Sequence, residues 1–116
     1  MGLGTMMFGD HVSEGDSVKI LDQATKEYGM NLLDCSELNP APYAESMYGL
    51  SDKIVGSWLK KQTAIFREGL VISAKLCAYS NDITWPRGGQ KTRSTRDQVF
   101  DAVNSMLSRL QTPYID

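Results

Sequence analysis

The sequence predicts an α/β fold built on a parallel sheet, and three observations support this. Short apolar runs alternate with longer segments of helical periodicity in the order β-α-β-α-β-α-β. The apolar runs are nearly continuous, as in strands that are covered on both faces. The spacing between the runs suits right-handed helical crossovers between parallel strands. With 116 residues, the chain has the size of one modest domain.

The first unit has a strand predicted over residues 2–7 (GLGTMM) and a helix over residues 13–28. Ser13, with Asp16 three residues later, forms a variant of the capping box that starts helices. Gly29 stands where a C-terminal helix-capping glycine is expected. The apolar face of this helix is predicted to hold Val18, Leu21, Ala24, Thr25 and Tyr28.

The second unit begins with a strand predicted over residues 30–34 (MNLLD). The following segment, 35–50, contains two prolines and a glycine, so it is expected to be a loop. A helix is predicted over residues 51–62, with Ser51 as its N-cap. Gly56 inside this helix costs about 1 kcal/mol relative to alanine, which predicts a close packing contact at that position.

The third unit has a strand predicted over residues 70–77 and a helix over residues 94–110, capped by Ser94 or Thr95. The helix carries apolar residues at helical spacing: Val99, Val103, Met106, Leu107 and Leu110. Between them lies a polar loop whose basic part, Arg87–Arg96, is expected to be solvated, with a phosphate-contacting loop as the alternative. A fourth strand is predicted to start within residues 112–116.

Charge and composition exclude several classes of function. The formal charge of −2 gives no electrostatic reason to expect a nucleic-acid or anionic-membrane partner. No apolar run approaches the roughly 18 residues of a membrane span. The two cysteines form neither a disulfide framework nor, without other ligands, a metal site. No secretory signal begins the chain, so a cytoplasmic location is expected; a plastid is the alternative if a targeting segment precedes Met1.

Two charged residues lie at the ends of apolar strands, where parallel α/β folds bind ligands. Asp34 closes the second predicted strand, and Lys75 lies near the end of the third. A buried ion pair between them is expected, and such a pair is costly to desolvate and so often functional. A purely structural ion pair is the alternative. The start GLGTMMFG is not a dinucleotide-binding turn, because Met7 stands where the third glycine is required.

Five segments, in this order and spacing, resemble the N-terminal part of an aldo-keto reductase of the Tas-type NADP-dependent group: GLGTMMFGD, Asp34 followed by ELNPAP, YGLSDKIVGSWLKK, LVISAK and LSRLQTPYID. Each segment alone is weak evidence, but the ordered set is specific. The resemblance implies a (β/α)8 TIM barrel. Residues 1–116 would then be an incomplete NADP-dependent oxidoreductase domain, with the first three β/α units and the start of strand four.

The resemblance also implies a reaction, the transfer of hydride between NADPH and an aldehyde or ketone. The family uses an Asp-Tyr-Lys-His tetrad, in which the tyrosine donates a proton and the lysine, paired with the aspartate, lowers the pKa of that tyrosine. Asp34 and Lys75 match the catalytic aspartate and lysine. Gly4, Thr5 and Met6, together with Asp34, match cofactor-binding positions near the nicotinamide and its ribose.

The sequence departs from the family pattern at Asn39, which stands where the family has its tyrosine. An asparagine amide can hydrogen-bond to a carbonyl group but cannot act as a phenolic acid. Tyr43 or Tyr48 is the alternative phenol if the loop is rearranged. The family's histidine and its main cofactor-gripping loops would follow Asp116.

These departures lead to an expectation about activity. The chain by itself is expected to be inactive and to bind NADP(H) weakly or not at all. Its partner in a full-length form would be a small-molecule carbonyl substrate. The alternative is a non-catalytic interaction or regulatory module, which would pair with another barrel fragment or with a second copy of itself.

Overall fold

The computed structural model describes the whole chain, from Met1 to Asp116. Three strands form one sheet in the order β1-β2-β3, and both pairings are parallel. Their bounds are Gly2–Gly4 for β1, Leu32–Ser36 for β2 and Val71–Lys75 for β3. The parallel α/β arrangement predicted from the alternating pattern is therefore confirmed.

Four α-helices connect and cover these strands. They are α1 (Glu14–Asp22), α2 (Leu50–Leu59), α3 (Ala64–Glu68) and α4 (Arg96–Leu110). A π-helical turn, Gln23–Glu27, continues α1, and 3-10 turns lie in the two long loops at Glu45–Met47 and Trp85–Arg87. None of the helices has the length and apolar character that crossing a bilayer requires.

The hydrophobic core lies between one face of the sheet and the helices. Its centre holds fully or almost fully buried side chains from β2, β3, α2 and α4: Leu33, Cys35, Ile72, Val55, Trp58, Met106 and Leu110. Trp58 anchors this layer, because its Nε1–H donates to Asp22 Oδ1 at 2.9 Å and its ring packs edge-on against Phe66. The tryptophan therefore joins α2 to both α1 and α3.

The helix starts show which capping predictions hold. Ser13 Oγ accepts from the Asp16 backbone N–H at 3.1 Å, and Thr95, not Ser94, caps α4. The Ser51 N-cap is wrong, since α2 begins at Leu50 after Gly49, whose φ of 72° suits a glycine. Ser51 instead donates its hydroxyl hydrogen to the Thr5 carbonyl oxygen at 2.8 Å. This bond ties the first turn of α2 to the chain just after β1.

Gly56 confirms the close packing that its position in a helix predicts. A Cβ at this residue would lie 2.1 Å from the backbone oxygen of Arg109 and under 3.0 Å from two backbone atoms of Leu110. The end of α4 therefore rests directly on the backbone of α2. Only a residue without a side chain permits this approach.

Several predicted boundaries differ from the observed ones. β1 ends at Gly4 because the chain turns, with the Phe8 N–H donating to the Thr5 carbonyl. β2 starts and ends two residues later than predicted, so Asp34 lies within the strand. Tyr28 is 69% exposed because the π-helical turn rotates it off the buried face of α1. Helix α3 has no counterpart in the sequence prediction.

The predicted fourth strand is not formed within residues 112–116. Asp116 nevertheless lies beside β3. Its backbone N–H donates to the Ile72 carbonyl at 3.2 Å, and its carboxylate accepts from the Ile72 N–H at 3.0 Å. The Arg67 guanidinium holds the same carboxylate at 2.9 Å. The end of the chain is thus fastened along the free edge of the sheet.

Candidate functional site

The second face of the sheet is not covered by helices. Because side chains alternate along strands, the strand register identifies the residues that share this open face. They are Gly2, Gly4, Leu32, Asp34, Ser36, Val71, Ser73 and Lys75, and all of them except the buried Ser36 are exposed. Three of the predicted site residues, Gly4, Asp34 and Lys75, therefore lie on one surface, toward the carboxyl ends of the strands.

The expected buried ion pair between Asp34 and Lys75 is absent. Both residues are exposed, and none of the six ion pairs of the chain joins them. Asp34 lies opposite Ser73 and Lys75 opposite Ser36, so the two are diagonal neighbours with Cα atoms roughly 8 Å apart. On an exposed face an ion pair gains only about 0–1 kcal/mol, which does not outweigh the entropy of a mobile lysine.

The three predicted residues that follow strand β1 have different environments. No atom lies within 4 Å of a Cβ built on Gly4, so the space over its backbone is open. Met6 is exposed as well. Thr5 is completely buried on the helix side, where its backbone N–H and its hydroxyl both donate to the Asp34 carbonyl at 3.1 Å. The Thr5 side chain therefore supports Asp34 from behind and does not reach the open face.

Asn39 is buried directly behind the end of β2. Its backbone N–H donates to the Ser36 carbonyl at 3.0 Å, and the Asn39–Pro40 peptide bond is cis. Tyr48, one of the alternative phenols, has a structural contact, because Arg109 Nη1 donates to its hydroxyl at 3.3 Å and the guanidinium lies over its ring. Tyr43 is exposed.

A buried carboxylate that sequence reasoning missed lies immediately after β2. Glu37 is completely buried, and Arg87 donates two parallel hydrogen bonds to it, at 2.8 and 2.9 Å. The Cys77 backbone N–H donates to Glu37 Oε1. The expectation of a solvated basic segment is therefore wrong for Arg87, whose side chain is 4% exposed. Donation to Glu37 also raises the pKa of Arg87.

A second buried ion pair joins α2 to α4. Arg109 Nε donates to Asp52 Oδ2 at 3.0 Å, and Asp52 is completely buried. Burial raises the pKa of Asp52 to about 6 despite the arginine, and the nearby charge of Glu37 adds to the rise. The other carboxylate oxygen, Oδ1, has no hydrogen-bond partner. The two buried ion pairs therefore lie close enough for the charge of Glu37 to act on Asp52.

The open face forms one wall of a site and not a closed pocket. Two surface cavities lie elsewhere: one of about 440 Å³ between α3, the end of α2 and residues 111–114, and one of about 320 Å³ around Met1 and residues 28–31. Neither includes Gly4, Asp34 or Lys75. The open backbone at Gly4 beside an exposed carboxylate fits the ring and ribose end of a dinucleotide, which requires close approach and hydroxyl acceptors.

Comparison with known proteins assigns the chain to a family. The model of the aldo/keto reductase family matches residues 1–116. The chain belongs to the aldo/keto reductase family. It is 38% identical over 117 residues to protein tas of Escherichia coli K12 and equally to protein tas of Shigella flexneri. The match covers 100% of this chain and 32% of each relative, so the chain spans about a third of their length.

Solved structures give the same fold. Two structures described as aldo-keto reductases from Pseudomonas aeruginosa superimpose on this chain with TM-scores of 0.67 and 0.68, at 22% and 23% sequence identity. Each superposition covers 99% of this chain and 38% of the other. The aldo/keto reductases are a family of oxidoreductases that generally use NAD(P)H.

Proposed function

We propose that the chain is the first part of an NADP(H)-dependent carbonyl reductase. Residues 1–116 would supply the first three β/α units of a (β/α)8 barrel, with residues 112–116 leading into its fourth strand. The parallel order β1-β2-β3 and the position of Asp116 beside β3 support this arrangement. The observation that carries the proposal is that Gly4, Asp34 and Lys75 share the one sheet face that no helix covers.

Gly4, Asp34 and Lys75 each have a chemical task in the proposal. The open space over Gly4, with Met6 beside it, lets a flat ring approach the backbone, and the Asp34 carboxylate accepts a hydrogen bond from a ribose hydroxyl group. NADPH, when bound, supplies the hydride. The Lys75 ammonium stabilises negative charge that develops on the carbonyl oxygen and lowers the pKa of a neighbouring proton donor. Its diagonal spacing from Asp34 allows the two charges to meet once water is excluded.

Asn39 limits what this chain can contribute to proton transfer. Its amide can donate a hydrogen bond to a carbonyl oxygen but has no proton to release at neutral pH. We expect the 116-residue chain alone to show no carbonyl-dependent NADPH oxidation and weak or no NADP(H) binding. NADPH oxidation by the chain that disappears in Lys75→Met would overturn this expectation.

The mass of the native gene product in its own cells tests the proposal that these residues belong to a longer barrel. Intact-protein mass spectrometry should find a species two- to threefold heavier, roughly the size of a closed barrel. A native product of 12.9 kDa would contradict the reductase proposal. That mass would leave three strands with an exposed face and no remaining chain to cover it.

Asn39 favours a second candidate function, a non-catalytic module that pairs with another barrel fragment or with a second copy of itself. The variant Asn39→Tyr discriminates between the two in the native product. A reductase should oxidise NADPH faster in this variant than in the unmodified product, because the tyrosine could then donate the proton. An interaction module should show no gain, and light scattering should show it in a complex.

A further inference from the structure

The hydrogen-bond ladder between β2 and β3 continues past the ends of the strands through a side chain. The last regular hydrogen bond of the ladder runs from the Glu37 N–H to the Lys75 carbonyl at 3.0 Å. In a parallel ladder the next rung would run from the Cys77 N–H to the Glu37 backbone carbonyl. The Glu37 carboxylate takes that place, since its Oε1 accepts from the Cys77 N–H. The segment from Lys75 to Cys77 is therefore held at both ends by hydrogen bonds to the same residue, Glu37.

The Glu37 carboxylate is itself held in one orientation. It is completely buried, and the Arg87 fork binds both of its oxygens, at 2.8 and 2.9 Å. Two parallel charge-assisted bonds fix the plane of the carboxylate as well as its position. Arg87 comes from the 3-10 turn Trp85–Arg87 in the loop between β3 and α4. Arg87, in the loop after β3, thus fixes Glu37, and Glu37 in turn holds the backbone at the end of β3.

Lys75, in contrast, has no partner for its ammonium group among the ion pairs of the chain. Its side chain is exposed on the open face, so only its backbone determines where it starts and which way it leaves the sheet. The backbone of residues 75–77 is fixed on one side by the rung to Glu37 and on the other by the Glu37 carboxylate.

We propose that Glu37, locked by Arg87, is a positioning residue that directs Lys75 over the open face. The catalytic meaning of this position rests on the proposed function, but the geometric effect on Lys75 does not. A merely structural ion pair would change the stability of the chain and leave the environment of Lys75 in the folded molecule unchanged. A positioning pair changes that environment whenever the acceptor for the Cys77 N–H is lost.

Two double variants of the 116-residue chain separate these roles. Glu37→Gln/Arg87→Met and Glu37→Met/Arg87→Met both remove the two buried charges, but only the glutamine keeps an acceptor for the Cys77 N–H. The readouts are the amide exchange rate of Cys77 and the NMR signals of ¹³C-dimethylated lysines, with Lys75 assigned by its loss in Lys75→Arg. Glu45→Gln, an exposed change in the same loop, serves as the control.

The glutamine variant should keep the Cys77 exchange rate near that of the wild type and, because the Arg87 fork is lost, should shift the Lys75 signal, but by less than the methionine variant does. The methionine variant should shift the Lys75 signal but not that of Lys53, and should exchange the Cys77 amide about tenfold faster, as expected for the loss of one hydrogen bond to a charged group. Identical Lys75 signals and Cys77 rates in the two variants would overturn the proposal.

Arg87→Lys keeps the proposal testable if the methionine variant does not fold. Lysine retains the charge but loses one of the two parallel bonds, so the Lys75 signal should shift in the same direction by a smaller amount. An unchanged Lys75 signal in this variant overturns the proposal as well. If the signal shifts but Lys75→Met does not affect NADPH oxidation by the native product, the positioning stands and the proposed reductase function fails.

Discussion

The two faces of the sheet are built from neighbouring residues of the same strands, yet they have opposite environments. Leu33 and Ile72, on the face toward the helices, are completely buried, whereas Leu32 and Val71 next to them are 36% and 42% exposed. The covered face contains the hydrophobic core, and the open face contains Asp34 and Lys75, the residues for which we propose a catalytic role. Stability and chemistry are therefore separated by the alternation of side chains along each strand.

The largest expected difference between the faces comes from truncating adjacent leucines. Leu33→Ala should lower the free energy of unfolding by about 2–5 kcal/mol, because it leaves a cavity in the packed layer. Leu32→Ala, on the open face, should cost less than about 1 kcal/mol. Urea unfolding of both variants measures the difference. Equal costs would show that the open face is covered in solution.

A smaller effect on stability is expected from Asp52, the buried carboxylate of helix α2. The raised pKa of Asp52, about 6 against 3.8 in the unfolded chain, means that folding favours its protonated form. Its contribution to stability is therefore greatest below pH 4 and decreases as pH rises to about 6, by at most about 3 kcal/mol. The free energy of unfolding, measured from pH 4 to pH 7, should fall for the wild type relative to Asp52→Asn. The two proteins share all other titratable groups, so the pH dependence of those groups cancels in the difference. A difference in unfolding free energy that stays constant with pH would mean that Arg109 fully offsets the effect of burial on the pKa of Asp52.

The contact between α2 and α4 gives a matched pair of glycine variants with a still smaller effect. Gly56→Ala should lower stability by about 1–3 kcal/mol, because the new methyl group meets the backbone of Arg109 and Leu110. Gly15→Ala, in the exposed first turn of α1 with no atom closer than 4.0 Å, should be neutral or stabilise by up to about 1 kcal/mol. Thermal unfolding compares the two. A neutral Gly56→Ala would show that the helices can separate without cost.

Local patterns in the sequence were sufficient for the parallel order of the strands, for three of the helices and for the placement of Asp34 and Lys75 on successive strands. They failed where a residue's partner is distant in the sequence. Glu37 and Arg87 are 50 residues apart, and Ser51 bonds to a carbonyl 46 residues away. The predicted Asp34–Lys75 pair is absent for a different reason. The prediction assumes that this face of the sheet is buried, but residues 1–116 leave it exposed.

The central claim, that the open face carries reductase chemistry, is tested most directly by carbonyl-dependent NADPH oxidation in the native gene product. Lys75→Met should lower kcat/KM by at least about 100-fold without changing Tm, because it removes the only charged group of β3 on the open face. Lys53→Met, an exposed change on α2, should leave the rate unchanged. Equal rates for the two variants, or no oxidation by the unmodified product, would contradict the account.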